Sequence, residues 1–143
     1  DEDIEALVDE KLATAEDRIK VLSLLVIAGT MGPQVATLTL DMDGEHRTVQ
    51  ATGNGPVDAT FNAIHALVPH EAQLELYQVH AVTEGTDAQA EVSVHLGVDG
   101  KSFSGRAAHP DTMVASAKAY LAALNKLAAR QDRVHAHSAE EVA

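Results

Sequence analysis

The chain has 143 residues, which is enough for one domain with a buried core and too few for two large domains. Its formal net charge of -12 would repel nucleic acids and anionic membranes, so neither is expected as a partner. Because the chain contains no cysteine, disulfides, thiolate metal sites and thiol catalysis are excluded.

The composition also bears on location and on the core. No apolar run is long enough to cross a bilayer, and the acidic start Asp1-Glu2-Asp3 is unlike that of a signal peptide, so we expect a soluble, cytoplasmic protein. Since the first residue is not Met, we expect the chain to begin within a longer protein. Hydrophobic residues make up 45% of the sequence but aromatic residues only 3%, which favours an aliphatic core with helices packed closely on a sheet.

A helix and three strands are predicted before the first glycine-bracketed turn. Apolar residues recur at helical spacing between Asp3 and Thr14, which predicts a short amphipathic helix. Strands are predicted at residues 19–28, 36–42 and 45–52 from β-rich composition and from the alternation of apolar and polar side chains. The dipeptide Asp43-Gly44 between the second and third strands predicts a tight hairpin.

The segment Gly53-Asn54-Gly55-Pro56-Val57-Asp58-Ala59 leads from the third strand into a helix predicted to end near Pro69. Pro56 suits the first position of a helix, and the two glycines permit close approaches that a Cβ would forbid. The unpaired N–H groups of a helix start attract anions, so a carboxylate or phosphate could bind there without a basic side chain. A tight strand-to-helix connection without a ligand is the alternative interpretation, because the motif lacks a third glycine.

The second half of the chain repeats this order 56 residues later. Strands are predicted at residues 74–83, 88–98 and 101–107, with a loop at 84–87, a hairpin at Asp99-Gly100, a helix at 112–130 and a flexible tail at 131–143. The repeat predicts an α+β fold of two βββα units related by a pseudo-twofold axis, with antiparallel sheets and the helices packed on one side.

No set of residues in the sequence forms a convincing catalytic site. The eight histidines do not combine with a carboxylate at metal-ligand spacing, and no lysine follows the glycine spacing of a phosphate-binding loop. Ser104-Gly105 lacks the upstream glycine of a nucleophile elbow, and the acidic residues fall at termini, turns and helix starts. We therefore expect no catalytic residue and no metal site in this chain.

Small residues on the fourth strand and after it leave room for a ligand beside the first turn. If the strand with Tyr77 and Ala81 lies next to the turn at 53–58, an apolar cavity with amide donors at one end would form. A branched aliphatic amino acid would suit this cavity, with its carboxylate at the helix start. Its side chain would lie among Val57, Leu74, Tyr77, Ala81 and Ala88. Ordinary core packing is the alternative interpretation for each of these residues.

Three runs of the sequence resemble one known family: GNGPVDA at residues 53–59, YQVHAVTEGTDAQAEV at 77–92 and DTMVASAKAYLAALNKL at 111–127. They are similar to motifs of the C-terminal regulatory domain of α-isopropylmalate synthases, also called the LeuA allosteric or dimerisation domain. The resemblance covers about residues 20–130, and the three runs stand in the family's order within the βββα repeat. The start DEDIEALV resembles the end of the linker subdomain that precedes this domain.

The resemblance implies a domain that forms a homodimer and binds L-leucine, the end product of the pathway, between the two copies. The head group of leucine is then expected to meet Gly53, Gly55, Val57 and Asp58. The pocket for its side chain is expected at the matching positions Leu74, Tyr77, Ala81 and Ala88. The implied boundaries are 1–17 for the end of the linker subdomain, 18–130 for the leucine-binding domain and 131–143 for the tail.

The chemistry of this family, condensation of acetyl-CoA with 2-oxoisovalerate, belongs to a metal-dependent TIM barrel that is absent from these residues. The resemblance therefore implies a fragment that has no activity or cofactor of its own and regulates the catalytic domain of the same full-length chain. A divalent metal is expected only in the barrel. Three alternatives stay open: an isoleucine-binding domain of the related citramalate synthases, a free-standing amino-acid sensor, and a purely structural dimerisation module.

Overall fold

Two consecutive repeats of three strands and one helix make up the described part of the chain. The structure, a computed structural model, describes residues 18–84 and 87–142, so the helix predicted between Asp3 and Thr14 lies outside the described residues. The first repeat contains β1 (Ile19–Ile27), β2 (Gln34–Met42), β3 (Glu45–Gly53) and α1 (Pro56–Leu67). The second repeat contains β4 (Gln73–Glu84), β5 (Asp87–Val98), β6 (Lys101–His109) and α2 (Thr112–Val142).

Each repeat forms its own antiparallel sheet, with the strands in the order β1-β2-β3 and β4-β5-β6. The β2–β3 and β5–β6 hairpins turn at Asp43-Gly44 and Asp99-Gly100, as the sequence predicts. All four residues have positive φ, 55° and 89° in the first pair and 52° and 74° in the second. Two consecutive residues with positive φ are typical of a type I′ turn, whose twist matches that of the flanking strands.

One face of each sheet is buried against the helices, because apolar side chains alternate with polar ones along the central strands. The side chains of Leu38 and Leu40 in β2, and of Val94 and Leu96 in β5, are fully buried. The helix α1 packs on β2 and β3, α2 packs on β5 and β6, and the two helices contact each other. This arrangement confirms the predicted α+β fold of two βββα repeats.

Helix α2 is longer than the sequence pattern predicts, because it continues past Arg130 to Val142. The prediction ended the helix where its apolar stripe ends, but residues 131–142 still contain strong helix formers such as Gln, Arg, Ala and Glu. Intrinsic helix propensity, and not apolar periodicity, is therefore the signal that marks this last part of α2. Within the described ranges, neither helix has an apolar stretch long enough to cross a membrane.

The connection between β4 and β5 is shorter than predicted. The sequence predicts a loop at 84–87, whereas Glu84 pairs with Asp87 at the end of the β4–β5 ladder, so that only residues 85 and 86 lie between the strands. Acidic residues have low strand propensity, and their presence hides the pairing that the antiparallel register imposes.

Candidate functional site

The turn between β3 and α1 is built around two glycines with different roles. A Cβ on Gly53 would collide with the backbone N of Ala59 and lie 2.8 Å from its Cα. Only glycine at position 53 therefore allows the end of β3 to approach α1 this closely. Gly55 is the N-cap residue in extended backbone, and a Cβ there would meet no atom within 4 Å. Gly53 therefore serves the fold, while Gly55 leaves open space at the start of the helix.

The start of α1 presents backbone donors that no side chain of the protein caps. The first helical hydrogen bond runs from the N–H of Ala59 to the carbonyl of Gly55, at 2.9 Å, and the helix has no side-chain cap. In the part of the chain that the structure describes, the N–H groups of Val57 and Asp58 accordingly make no hydrogen bond within the protein. Pro56 has no N–H to satisfy, so these two amides are the unpaired donors of the helix start.

The carboxylate of Asp58 does not compete for these amides. Its Oδ2 accepts a hydrogen bond of 2.9 Å from the N–H of Asn54, which precedes the helix, and the side chain is otherwise exposed. The carboxylate therefore stabilises the glycine turn through Asn54 and leaves the backbone N–H groups of the first helical turn available. An anion at the helix start would still gain from the positive end of the helix dipole.

The corresponding turn before α2 is closed by its own side chain. Oδ1 of Asp111 accepts hydrogen bonds from the N–H of Met113 at 2.8 Å and of Val114 at 3.4 Å. The N–H of Asp111 in turn donates to Nδ1 of His109 at 2.9 Å. The two strand-to-helix turns are thus equivalent in the repeat but differ in chemistry, since only the first offers uncapped amides.

Four of the five residues predicted to surround a ligand side chain share one face of the second sheet, and the fifth, Val57, lies in α1. In the β4–β5 ladder, Leu74 pairs with Leu96, Tyr77 with Val94 and Thr83 with Ala88. A register shift between Leu74 and Leu76 brings residues 74 and 77 onto the same face, which simple alternation would place on opposite faces. The residues on this face, which also buries Val94 and Leu96 against α2, include Leu74, Tyr77, Ala81 and Ala88.

A phenylalanine of α1 packs on this sheet face. Phe61 lies four residues after Val57 and so shares its side of the helix. The ring of Phe61 packs edge to face on Tyr77, with centroids 5.6 Å apart and an angle of 87°. This contact joins α1 to the centre of β4 within one chain.

The sheet face beside β4 is open to solvent in a single chain. The side chain of Leu74 is 46% exposed and that of Val79 is 44% exposed, and Ala81 and Ala88 are also exposed. A cavity of about 270 Å³ lies elsewhere, between β1, β6 and α2, and none of the predicted ligand residues lines it. In the described ranges, no group of three or more His, Asp or Glu side chains could hold a metal ion.

Sequence reasoning missed a chain of polar and aromatic contacts behind Tyr77. The hydroxyl of Tyr77 lies 2.7 Å from Oγ of Ser116 in α2. The ring of Tyr120 lies 4.5 Å from that of Phe61, and its hydroxyl is 2.9 Å from Nε2 of His70. Phe61 could be found from its place on the apolar stripe of α1, but contacts between the repeats have no signal in a single sequence.

Burial sets the protonation of the two groups at the far end of these contacts. Burial raises the pKa of the Tyr120 hydroxyl to about 12, which keeps it neutral. Burial, and next the charge of nearby His65, lower the pKa of His70, while the backbone of Ala72 opposes this effect. The pair of His70 and Tyr120 is therefore neutral near pH 7 and links the end of α1 to α2 without a charge.

The fold and the turn together define a class of protein, an α+β domain of two βββα repeats in which only the first helix start is uncapped. The chain belongs to the LeuA allosteric (dimerisation) domain family, whose model matches residues 1–128.

The chain is also similar to part of several curated enzymes. It is 72% identical over 142 residues to a 2-isopropylmalate synthase of Methylobacterium nodulans, which covers 99% of this chain and 27% of the relative. It is 70% identical over 142 residues, with the same two coverages, to one of Methylorubrum populi. A 2-isopropylmalate synthase of Rhodopseudomonas palustris strain TIE-1 is 66% identical over 143 residues, which is 100% of this chain and 27% of that protein. The chain thus spans about a quarter of the length of these relatives.

Proposed function

We propose that this chain is the regulatory domain of a cytoplasmic 2-isopropylmalate synthase and binds L-leucine as a feedback inhibitor at a homodimer interface. The observation that carries the proposal is the uncapped start of α1, where the amides of Val57 and Asp58 have no partner among the described residues. The start of α2 is capped by Asp111, so the open amides are not a general property of the repeat. Family membership and the names of the relatives support the assignment to a 2-isopropylmalate synthase. Leucine as the ligand is what the resemblance to this family implies.

The head group of an amino acid fits the charges at the turn. Its carboxylate would accept hydrogen bonds from the N–H groups of Val57 and Asp58, in the space that Gly55 leaves open. Its ammonium group would meet the carboxylate of Asp58, since Oδ2 is held by Asn54 and the other oxygen has no hydrogen bond within the described residues. A zwitterion therefore suits this turn better than a simple anion does.

The side chain of the ligand would lie against the face of β4 and β5. The side chains of Ala81 and Ala88 are small, which leaves room for a branched aliphatic group beside Leu74 and Tyr77. Burial of a leucine side chain is worth about 1.5–3 kcal/mol when it leaves water completely. The open face of a single chain cannot provide such burial, so a cover is required.

A second copy of the chain is the proposed cover. Strand β4 stands at the edge of its sheet, and it carries the exposed apolar residues Leu74, Val79 and Val82. Long apolar edge strands are normally covered, because they otherwise pair with other chains and aggregate. A homodimer that joins two β4 strands would bury Leu74 and Val79, which share the face of Tyr77, and would close the pocket in one step.

The catalytic part of the enzyme would lie outside this chain. The relatives are about four times longer, and the sequence motifs of this chain indicate no catalytic site. We therefore expect no acyl transfer by these 143 residues alone, with the chain acting on the catalytic domain of its own full-length protein. A turnover assay on this chain that yields product would contradict this part of the proposal.

Calorimetric titration of the chain with leucine, isoleucine and valine tests the ligand. Binding of leucine in preference to the other two supports the proposal, whereas a preference for isoleucine supports the regulatory domain of a citramalate synthase. If no heat is observed and sedimentation still gives a dimer, the chain is a structural dimerisation module. The result for valine measures how tightly the pocket matches the length of the side chain.

A further inference from the structure

We infer that Ser116 is a positioning residue for the ligand site, because it holds the hydroxyl of Tyr77 away from the side-chain pocket so that the ring alone faces the ligand. The inference rests on the proposed function, since it concerns how the leucine pocket stays apolar. Ser116 lies in α2 of the second repeat and is fully buried, whereas the proposed head-group site belongs to the first repeat.

The direction of the hydrogen bond between these two residues follows from the partners of Ser116. Its Oγ lies 2.7 Å from the backbone carbonyl of Thr112, which can only accept a hydrogen bond. A serine hydroxyl has one hydrogen, so that hydrogen is donated to Thr112. The hydroxyl of Tyr77, 2.7 Å away, must therefore donate its own hydrogen to Ser116. The one donor of Tyr77 is thus already in use within the protein.

The ring of Tyr77 is fixed from two sides. Phe61 of α1 packs on it edge to face, and Ser116 of α2 holds its hydroxyl. Rotation of the ring about its Cβ–Cγ bond would break the first contact, and a change of side-chain rotamer would break both. Tyr77 therefore presents a fixed aromatic wall to the pocket, with its polar end directed to α2.

A comparison of the two repeats separates this role from an ordinary structural one. Thr60 stands 56 residues before Ser116, is also fully buried, and donates a hydrogen bond of 2.7 Å to the carbonyl of Pro56. Both repeats thus use a buried hydroxyl in the same helical bond. The position equivalent to Tyr77 in the first repeat is Leu24, which pairs with Leu38 as Tyr77 pairs with Val94, and leucine has no hydroxyl. Acceptance of a tyrosine hydrogen is therefore confined to the repeat that would form the pocket.

Loss of the Ser116 hydroxyl should change which ligands the pocket accepts. In Ser116→Ala the hydroxyl of Tyr77 lacks an acceptor and can turn toward the pocket, where an aliphatic ligand cannot satisfy it. A ligand of similar shape with a polar side chain, such as asparagine, could satisfy it. The pocket should therefore lose part of its preference for leucine over asparagine, and an effect on stability alone would not alter that ratio.

The test is titration of the full chain with leucine and with asparagine in four forms: wild type, Ser116→Ala, Ser116→Ala with Tyr77→Phe, and the control Thr60→Val. We expect leucine binding to be about tenfold weaker in Ser116→Ala, which corresponds to a loss of about 1.4 kcal/mol in the free energy of binding. Tyr77→Phe should rescue the variant to within about twofold of wild type, because it removes the unpaired hydroxyl. Thr60→Val removes the equivalent helical bond and should leave the ratio of leucine to asparagine affinity unchanged.

Two results would overturn the inference and are distinguishable from failure of the proposed function. Leucine binding in Ser116→Ala that equals wild type, or a double variant that is not rescued, would show that Ser116 has no positioning role. Failure of wild type to bind leucine would overturn the proposed function and this inference with it. Thermal unfolding of each variant shows that it is folded, and the rescue compares two chains that both lack the serine hydroxyl.

Discussion

The side-chain amide of Asn125 pairs with both backbone groups of Ile19. The N–H of Ile19 donates to Oδ1 at 3.1 Å, and Nδ2 donates to the carbonyl of Ile19 at 3.0 Å. Both residues are buried and lie 106 positions apart in the chain. Since β1 is an edge strand, the asparagine takes the place of a neighbouring strand and ties the first repeat to the helix of the second.

Replacement of Asn125 by Ala should therefore destabilise the whole domain. We expect the free energy of unfolding to fall by about 2–4 kcal/mol, because each buried polar group left without a partner costs about 1–3 kcal/mol. Denaturation by urea measures the change. The control is Asn62→Ala, which removes an exposed bond from a helical asparagine to the carbonyl of Thr52 and should have a much smaller effect. Equal losses in the two variants would contradict the role assigned to Asn125.

The two glycines of the first turn should respond differently to a methyl group. Gly53→Ala should lower the free energy of unfolding by about 1–3 kcal/mol, because its Cβ collides with the backbone of Ala59. Gly55→Ala should lower it by only about 1 kcal/mol or less, as alanine is a poor N-cap but meets no atom there. Urea denaturation distinguishes the two cases.

Leucine affinity should show the opposite ranking. Among the folded molecules of each variant, Gly55→Ala should weaken binding more than Gly53→Ala does. The methyl group in Gly55→Ala occupies the space beside the amides of Val57 and Asp58, so leucine affinity should fall by about tenfold, which corresponds to 1.4 kcal/mol. Titration of the folded variant measures this directly. If Gly55→Ala binds leucine as wild type does, the head group lies elsewhere.

Local signals in the sequence were enough to predict much of this fold. The hairpins at Asp43-Gly44 and Asp99-Gly100 depend on neighbouring residues only, and both form with positive φ. The alternation around Leu38 and Leu40 also specifies which face of β2 is buried. In each case the physical cause acts within a few residues, so one sequence contains the whole signal.

Features that depend on contacts between the repeats could not be predicted. The pairing of Asn125 with Ile19 and the bond from Tyr77 to Ser116 join residues that are distant in sequence, and no local preference marks them. The register shift near Leu74 is equally hidden, although it decides whether that side chain shares a face with Tyr77. Of the candidate site, the glycine turn was therefore predictable in detail, and the sheet face only through the family resemblance.

The proposed dimer can be tested with a charge on β4. Val79 lies on the same face as Tyr77 and is 44% exposed in the single chain, so a homodimer through β4 would bury it. Val79→Glu should dissociate the dimer, because burial of an unpaired carboxylate is strongly unfavourable. Sedimentation at several protein concentrations measures the oligomeric state.

Ile27 on β1 supplies a matched control for this experiment, since it is a larger apolar residue and 61% exposed in the other sheet. Ile27→Glu should leave the dimer intact. If Ile27→Glu dissociates the dimer and Val79→Glu does not, the interface lies on the first sheet, and the leucine pocket would need another cover.

The histidine beside Tyr120 should make stability depend on pH in a defined direction. Burial, and next the charge of His65, lower the pKa of His70 below its usual value of 6.5, so the native state binds its proton less readily than the unfolded chain. The free energy of unfolding should therefore be highest above pH 6.5, where His70 is neutral in both states. It should fall as the pH drops through 6.5, because the unfolded chain then binds the proton more readily. His70→Gln removes this contribution, and the decrease between about pH 7.5 and about pH 5.5 should be smaller than in wild type. The control is His46→Gln, at an exposed position of β3, which should retain the decrease. Urea denaturation at both pH values gives the comparison, and equal decreases in wild type and His70→Gln would contradict the prediction.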